Sequence, residues 1–443
     1  MDPRRNCGEI LLMLLTVLGG FILEAAIGGA YSYDSIFDQY NNETIKTRSF
    51  EKYKLDIFSL GLFGLSASMG LGGFMSTIYG HRKTIFLGSV IMNFGIIITT
   101  FVAKSRWYLF TYGFICGSGA GLMFSVSLAT ACQWFKFYKS FGLSIVLSGF
   151  SFGKLLVQFT IRFMNPSWSI FSIIGIEFFI IQIIGLILMQ TPKKDSSEIE
   201  KLLLSINDSD QDLDIQPHIM IMEFDFWIIW LIFYLNAFGS LFIRLQYQIY
   251  SSISNEQNGL SIYIISLFIV IGQGIWGISS DRLSMKTVFC TFALGSSFMY
   301  GILLLLYQQI ETYEYFYYMI YPSQFWQNGI MVIIPGLIVK RFGQKYFAIN
   351  YGITWTAYTF AGILTSQLTK FINNVVVSLS VFSVLSFISF LLVLFYAGNT
   401  KRIDNIFWKY HANFSFNYKK ILSMKFKSLI FLCNFASINF IEK

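Results

Sequence analysis

Charged residues are scarce in this chain: they make up 13% of its 443 residues, about half the share found in an ordinary soluble domain. Histidine occurs only at His81, His218 and His411, and none of the five cysteines forms a Cys-x-x-Cys pair. The sequence therefore predicts no zinc site, no haem site and no disulfide framework. A grouping of nucleophile, base and metal ligand is not evident either. These shortages exclude an ordinary soluble enzyme, and we predict neither catalysis nor a cofactor.

The formal charge of +8 does not indicate nucleic-acid binding, because most of it lies in one tail. From Lys401 to the end, the chain has eight Lys or Arg residues against Asp404 and Glu442. We therefore expect no nucleic-acid partner. Anionic lipid at an inner membrane face attracts such a basic segment, so the tail is predicted to be cytoplasmic.

Apolar residues, in contrast, are abundant: they form 55% of the chain, and the mean hydropathy is +0.59. A membrane-spanning helix needs about 20 apolar residues. Runs of suitable length occur twelve times, at residues 10–33, 57–79, 84–102, 108–133, 141–163, 168–189, 226–247, 262–280, 288–307, 313–339, 347–369 and 375–398. Because lipid cannot hydrogen-bond the backbone, we predict that each run is a helix.

One long charged stretch divides these runs six and six. The sequence therefore predicts an all-α membrane protein with twelve transmembrane helices in two six-helix bundles. The predicted parts are an N-terminal bundle at 1–189, a cytoplasmic linker at 190–225, a C-terminal bundle at 226–398 and a basic cytoplasmic tail at 399–443. The first run begins like a signal peptide, but its apolar part is longer than a signal core, so we predict a span.

The orientation follows from the basic residues, which concentrate in alternate connections. With the N-terminus inside, the inside connections and the tail contain 22 of the 32 Lys and Arg residues. Cytoplasmic connections are the ones that carry such an excess. Both termini are therefore predicted to be cytoplasmic, in the plasma membrane or an organelle membrane.

Two connections at equivalent places in the two halves share a pattern. The first contains Gly73, Thr77 and Gly80, and the second contains Gly277 and Asp281. Repeated halves are typical of transporters, and both connections resemble the signature loop of the major facilitator superfamily, G-x-x-x-D-x-x-G-(R/K)-(R/K). The resemblance implies a cytoplasmic latch between helix ends. We expect the following gating residues: Gly73, Gly80, Arg82, Lys83, Gly277, Asp281 and Arg282. The first copy departs at Thr77, which replaces the acid.

Within that superfamily, four segments resemble the oxalate/formate antiporter and monocarboxylate transporter families. They are GGAYSYDSIF at 28–37, QWFKFYKSFGLS at 133–144, GQGIWGISSDR at 272–282 and FGQKYFAINYGITWTAY at 342–358. Oxalate-carrying members have an Arg and a Lys where this chain has Gln273 and Tyr358. Two charge-assisted contacts, each worth about 1.5–3 kcal/mol, would be lost. Oxalate itself is therefore not expected as the substrate.

Ionisable residues lie deep within three predicted spans: Glu24, Lys154 and Glu177. A charge at such a depth costs about 2.5–3.5 kcal/mol on insertion scales, so it normally has a partner or faces a water-filled cavity. One hypothesis pairs Glu24 with Lys154 in the empty carrier; Lys154 then binds a carboxylate and Glu24 takes up a proton. The alternative is a permanent structural salt bridge between the same two residues. Glu177 is expected to be a packing residue.

The sequence thus predicts a transporter of a small organic anion, a monocarboxylate-type metabolite, by alternating access with possible proton coupling or exchange. The predicted substrate-binding residues are Lys154, Tyr31, Gln273, Gln327 and Tyr358, and Glu24 is the predicted proton-coupling residue. The partners are a small carboxylate and the lipid bilayer, and the protein is expected to be monomeric. Two alternatives stay open: a facilitator of a neutral solute such as a sugar or amino acid, and a non-transporting receptor on the same fold.

Overall fold

The computed structural model describes residues 7–43, 49–135, 138–163, 169–192, 214–253, 259–309, 313–371 and 375–395. The predicted basic tail at 399–443 and residues 193–213 of the predicted linker lie outside the described residues. Within the described ranges the chain is helical and contains no strand. The described residues all belong to one compact unit.

Helices occupy all twelve predicted spans. In chain order they are Cys7–Ala30, Ser49–Tyr79, His81–Val102, Leu109–Cys132, Lys139–Phe163, Ile170–Leu188, Phe224–Ile253, Gly259–Arg282, Met285–Gln309, a pair formed by Tyr313–Gln327 and Ile330–Phe342, Phe347–Phe371 and Val375–Phe395. They are called spans one to twelve below. Two short helices, Tyr33–Glu43 and Pro217–Met222, lie outside the spans. The predicted all-α architecture of twelve spans is therefore confirmed.

Spans ten and eleven differ from the other ten, which are long and apolar enough to cross a membrane by length and composition. Span ten is interrupted at Asn328 and Gly329. Here the side-chain amide of Asn328 donates to the Gln324 backbone carbonyl at 3.1 Å. Gly329 packs on Trp276, whose Cδ1 would lie 2.6 Å from an added Cβ. Only glycine permits that approach. The sequence predicted one continuous helix here, so the interruption was not foreseen. Span eleven is continuous but rich in Thr, Ser and Asn, which lowers its hydropathy.

Span four begins with a π-helix, Leu109–Ile115, before the α-helix Cys116–Cys132. The Cys116 amide donates to the Thr111 carbonyl, five residues back. Such segments are rare and occur mostly as single turns, often at functional sites. The π-helix lies towards the predicted outer face.

The helices pack as two sets of six with contacts between them. In the first half, span one packs on five, and span four packs on two and three; in the second, span seven packs on eleven and span nine on twelve. The halves meet where span two packs on eleven and where span five packs on eight and ten. Within the first half, spans one and five are in backbone contact, since a Cβ on Gly149 would lie 2.1 Å from the Phe21 carbonyl oxygen. Small residues allow this approach in membranes.

Candidate functional site

Glu24 is fully buried in the second half of span one. Its Oε1 accepts a hydrogen bond of 2.5 Å from the Ser127 hydroxyl of span four. Its other oxygen, Oε2, has no hydrogen-bond partner among the described residues. Leaving a buried polar atom without a hydrogen-bond partner is energetically costly.

The structure shows no Glu24–Lys154 pair among the described residues, and the roles proposed for the two side chains stay predictions. Glu24 faces Ser127 on span four, and no ion pair joins it to Lys154 within the part of the chain that the structure describes. Gly153, next to Lys154, packs instead on the Ala25 carbonyl and Gly29. Spans one and five are therefore in backbone contact at Gly153, while Glu24 is directed to span four. Depth alone could not reveal this, because it fixes the level of a side chain and not its direction.

Aromatic rings from both halves meet beside Glu24 and form what we call the central aromatic cluster. In the first half, the Phe124 ring lies 6.1 Å from that of Phe150, which lies 5.8 Å from Tyr31. Phe124 also reaches Trp355 of the second half, 4.9 Å between ring centroids. The members are Tyr31, Phe124, Phe150, Phe233, Tyr351, Trp355 and Tyr358. Spans one, four, five, seven and eleven therefore meet at this point.

Span eleven presents two hydrogen-bond donors within this cluster. The Tyr351 hydroxyl and the Trp355 indole N–H are buried and have no acceptor among the described residues. Residues four apart lie on one face of a helix, so both donors point to the same side. Tyr351 lies near Glu24, and Tyr358 lies near Tyr31. Glu24 and the central aromatic cluster are together called the centre below. The centre combines one carboxyl group, several phenols and an indole.

The structure brings only some of the predicted substrate-binding residues to this cluster. Tyr31 and Tyr358 belong to it, and the Tyr31 hydroxyl donates to the Gly61 carbonyl at 2.8 Å. Gln273 of span eight is buried, and its Oε1 has no hydrogen-bond partner among the described residues. Gln327 hydrogen-bonds within its own helix, where its amide donates to the Ser323 hydroxyl at 3.0 Å.

Glu177 accepts hydrogen bonds from one hydroxyl, that of Thr160, at 2.9 and 2.8 Å to its two oxygens. These contacts join spans five and six. They give Glu177 a local partner that does not involve the centre, which agrees with a packing role.

The second signature loop forms a latch between the halves. The Asp281 carboxylate accepts hydrogen bonds from the backbone amides of Ser140 and Phe141, at 3.1 and 2.8 Å. These amides lie in the first turn of span five, where backbone N–H groups favour negative charge. Lys340 of span ten lies 3.4 Å from Asp281 Oδ1 and also donates to the Ser280 carbonyl. Gly277 packs against Ser144, while Arg282 is exposed.

The first signature loop makes a contact without a carboxylate. A Cβ on Gly73 would lie 2.7 Å from the Ile349 amide at the start of span eleven. Thr77 is exposed and donates only to Phe74 of its own helix, at 2.7 Å. Gly80 has a φ of 83° and precedes span three. Arg82 donates to the Met189 carbonyl at 3.5 Å, and Lys83 is exposed.

Spans two and eleven also touch towards the predicted outer face. The hydroxyls of Ser59 and Ser366 are 2.5 Å apart, and the Thr359 hydroxyl donates to the Leu62 carbonyl at 3.3 Å. The two spans are therefore in contact at both ends, and along this line the centre is closed to both sides.

Sequence reasoning missed Ser127, Phe124, Phe150, Phe233 and Lys340. A signal existed on span eleven, where Tyr351, Trp355 and Tyr358 are spaced four and three residues apart and so share one helix face. Ser127 gave no signal, because its importance comes from facing Glu24. Among the described residues, no group of three or more His, Cys, Asp or Glu side chains could hold a metal ion.

Twelve spans in two halves, a latch between the halves and a buried centre formed by both halves define the class of membrane transport proteins. Residues 12–366 match the Major Facilitator Superfamily. The chain belongs to that superfamily.

Known proteins resemble the chain in sequence and in fold. The oxalate:formate antiporter of Oxalobacter formigenes is 22% identical over 318 residues, which are 69% of this chain and 72% of that protein. Monocarboxylate transporter 11 of Mus musculus is 27% identical over 109 residues, 24% of each chain. The solved structure of the proton:xylose symporter XylE bound to 6-bromo-6-deoxy-D-glucose has a TM-score of 0.71 at 14% identity, covering 88% of this chain and 95% of the other. At that identity the likeness concerns the fold alone.

Proposed function

We propose that the protein transports a small organic anion of the monocarboxylate type, together with a proton, by alternating access between its two halves. The observation that carries the proposal is the arrangement of Glu24, Tyr351 and Trp355. One oxygen of this buried carboxyl group has no hydrogen-bond partner among the described residues, and Tyr351 lies near it. The Tyr351 hydroxyl and the Trp355 N–H are buried donors that have no acceptor among the same residues.

A carboxylate substrate supplies the acceptor that the Tyr351 hydroxyl and the Trp355 N–H lack. Its charge would be repelled by an ionised Glu24 across a region of low dielectric constant. A proton on Glu24 removes that repulsion, so anion and proton are expected to bind together. In this scheme Lys154, Tyr31, Gln273, Gln327 and Tyr358 are substrate-binding residues, and Glu24 is the proton-coupling residue.

The names of similar proteins support both parts of the proposal. The relatives by sequence include an oxalate:formate antiporter and monocarboxylate transporters, and the solved structures of similar fold include proton symporters for xylose and fucose. The Asp281 latch and the glycine contact at Gly73 join moving halves at the predicted cytoplasmic face, as alternating access requires.

A second candidate is a carrier of a neutral solute such as a sugar or amino acid. Gln273 and Tyr358 favour it, because both are neutral where oxalate-carrying members have cations. Glu24 could then pair with a substrate ammonium or hydroxyl group. The structures of similar fold are sugar symporters, which adds some support.

The remaining parts of the proposal concern topology. We infer that residues 1–189 and 226–398 move as two bundles, that both termini are cytoplasmic and that the carrier is monomeric, in the plasma membrane or an organelle membrane. The distribution of Lys and Arg supports the orientation.

The decisive experiment uses purified protein in liposomes and compares Glu24→Gln with Glu177→Gln as a matched control. Uptake of labelled acetate, pyruvate, glucose and leucine is measured with a pH gradient, and exchange is measured at equal pH on both sides. We expect gradient-driven uptake of a carboxylate, lost in Glu24→Gln but retained in Glu177→Gln, while exchange persists in both. Uptake of glucose or leucine alone would favour the second candidate, and gradient-driven uptake by Glu24→Gln would remove Glu24 from proton coupling.

A further inference from the structure

A pocket lies beside the central aromatic cluster, within the first half and towards the predicted outer face. Spans one, two and four form it, and the π-helix of span four provides one wall. It is lined by Ala30, Tyr31, Tyr33, Ile57, Phe58, Gly61, Tyr112, Gly113, Cys116 and Gly117. None of these side chains carries a charge.

The pocket offers carbon surface because two of its three phenols, those of Tyr31 and Tyr112, are engaged with the backbone. The Tyr31 hydroxyl donates to the Gly61 carbonyl at 2.8 Å, and the Tyr112 hydroxyl donates to the Ala30 carbonyl at 2.7 Å. Both bonds join different spans, so they also fix the shape of the walls. The enclosed part is small, with room for about one water-sized group, which matches a methyl group or a small branch.

Tyr31 connects this pocket to the centre. Its ring lines the pocket and belongs to the central aromatic cluster, 5.8 Å from Phe150. Tyr358 of span eleven belongs to the same cluster and lies near Tyr31. Tyr31 thus belongs both to the pocket and to the central aromatic cluster that contains Tyr351 and Trp355.

We propose that this pocket binds a compact apolar substituent of the transported molecule and so determines how large that substituent can be. The inference rests on the proposed function and deepens it: the substrate is a monocarboxylate with a short or branched hydrocarbon group, rather than a bare or a long-chain acid. Because the pocket and the centre share the Tyr31 side chain, we infer that the substrate itself occupies the pocket.

Gly61 provides a direct test, because its backbone leaves room for a methyl group. A Cβ there would lie 3.6 Å from Tyr31 Cε1 and 3.8 Å from the Gly113 carbonyl, which are ordinary contacts. Gly61→Ala should therefore fold, and its methyl group should occupy the pocket. Gly70→Ala is the matched control on the same span, since nothing lies within 4 Å of a Cβ at Gly70. Ile57→Val tests the opposite change, because it removes one methylene from the wall.

The experiment measures thermal stabilisation of the purified wild type and the three variants by two matched series. The carboxylates are acetate, propionate and isobutyrate, and the neutral analogues are acetamide, propionamide and isobutyramide. In the wild type we expect apparent affinity to rise with each carbon by roughly fourfold, the equilibrium ratio that corresponds to one buried methylene. Gly61→Ala should abolish the rise beyond acetate, Gly70→Ala should keep it, and Ile57→Val should shift the preference towards isobutyrate.

The outcomes separate this inference from the proposed function. One outcome is that only the amides show an affinity that depends on size, and that Gly61→Ala abolishes this dependence. The pocket assignment then stands and the organic-anion assignment falls. If carboxylates bind but Gly61→Ala and the wild type have the same dependence on size, the pocket assignment falls and the anion carrier stands. If neither series stabilises the wild type, both are overturned.

Discussion

The Asp281 carboxylate lies 3.4 Å from the Lys340 ammonium group and joins spans eight and ten to the first turn of span five. Its counterpart in the other half, Thr77, is exposed and bonds only within its own helix. The two halves therefore close at the predicted cytoplasmic face by different means. One contact depends on a buried charge, and the other on close backbone packing at Gly73.

Asp281→Ala should weaken closure at this face. The substitution removes the acceptor for two backbone amides and leaves Lys340 without its carboxylate. Breaking a buried pair costs about 3–5 kcal/mol, and the partial exposure of Lys340 suggests the lower part of that range. Labelling of a Ser144→Cys side chain, which faces Gly277 in the closed state, should become faster in the Asp281→Ala background.

Thr77→Ala is the control for the latch, because an exposed substitution of this kind changes stability by less than about 0.5 kcal/mol. Its labelling rate at position 144 should match that of the parent. Equal rates in Asp281→Ala and its parent would show that Asp281 does not hold the halves together.

A disulfide between positions 59 and 366 should lock spans two and eleven at the predicted outer face. The two hydroxyl oxygens are 2.5 Å apart, and a disulfide needs sulfur atoms about 2.05 Å apart. Transport by Ser59→Cys/Ser366→Cys is therefore expected to stop on mild oxidation and to recover on reduction. The single variant Ser59→Cys should be indifferent to both treatments. Full transport by the oxidised, cross-linked protein would mean that these spans do not separate during the cycle.

At the glycine contact between spans two and eleven, an added methyl group should destabilise the protein at Gly352 but not at Gly70. A Cβ on Gly352 would lie 2.6 Å from the Gly70 backbone nitrogen, whereas a Cβ on Gly70 meets nothing within 4 Å. Gly352→Ala should thus destabilise the closed form by about 1–3 kcal/mol, as overpacking does. Gly70→Ala should leave the melting temperature in detergent nearly unchanged. Similar melting of the two variants would argue against backbone contact at Gly352.

Lys154→Met should reduce carboxylate binding if this cation helps to hold the substrate. Loss of a charge-assisted hydrogen bond corresponds to about 1.5–3 kcal/mol, or roughly tenfold or more in apparent affinity. Thermal stabilisation by a monocarboxylate would report the loss, at two pH values and with correct folding verified. An unchanged Michaelis constant and an unchanged pH dependence of transport would exclude Lys154 from the site.

The spans could be predicted from the sequence because the cause of helix formation in lipid is local. Each helix must satisfy its own backbone in lipid, so hydropathy over about 20 residues identifies it. Span ten is the exception: it divides at Asn328 and Gly329, where Trp276 of another helix packs against the glycine. No window of sequence around residue 329 contains that contact.

The centre was predictable only in part. Glu24 stood out as a carboxyl group deep in an apolar run, and Tyr358 stood out through the family resemblance. Their partners did not, because the direction of a side chain depends on how each helix is rotated against its neighbours. That is why Glu24 meets Ser127 and not Lys154. The acid in the second signature loop was visible in the sequence, but its partner Lys340 lies 59 residues further on.

The pocket depends on the π-helix at Leu109–Ile115, and therefore on the number of residues in this part of span four rather than on their type. A π-helical turn holds about one residue more than an α-helical turn, and here that turn provides Tyr112 and Gly113 to the pocket wall. Deleting a single residue from this segment would let a π-helical turn of span four become α-helical and would change which side chains of that turn reach the pocket. Among relatives of this carrier, an insertion or deletion in span four should therefore predict preference for substrate size better than any substitution does.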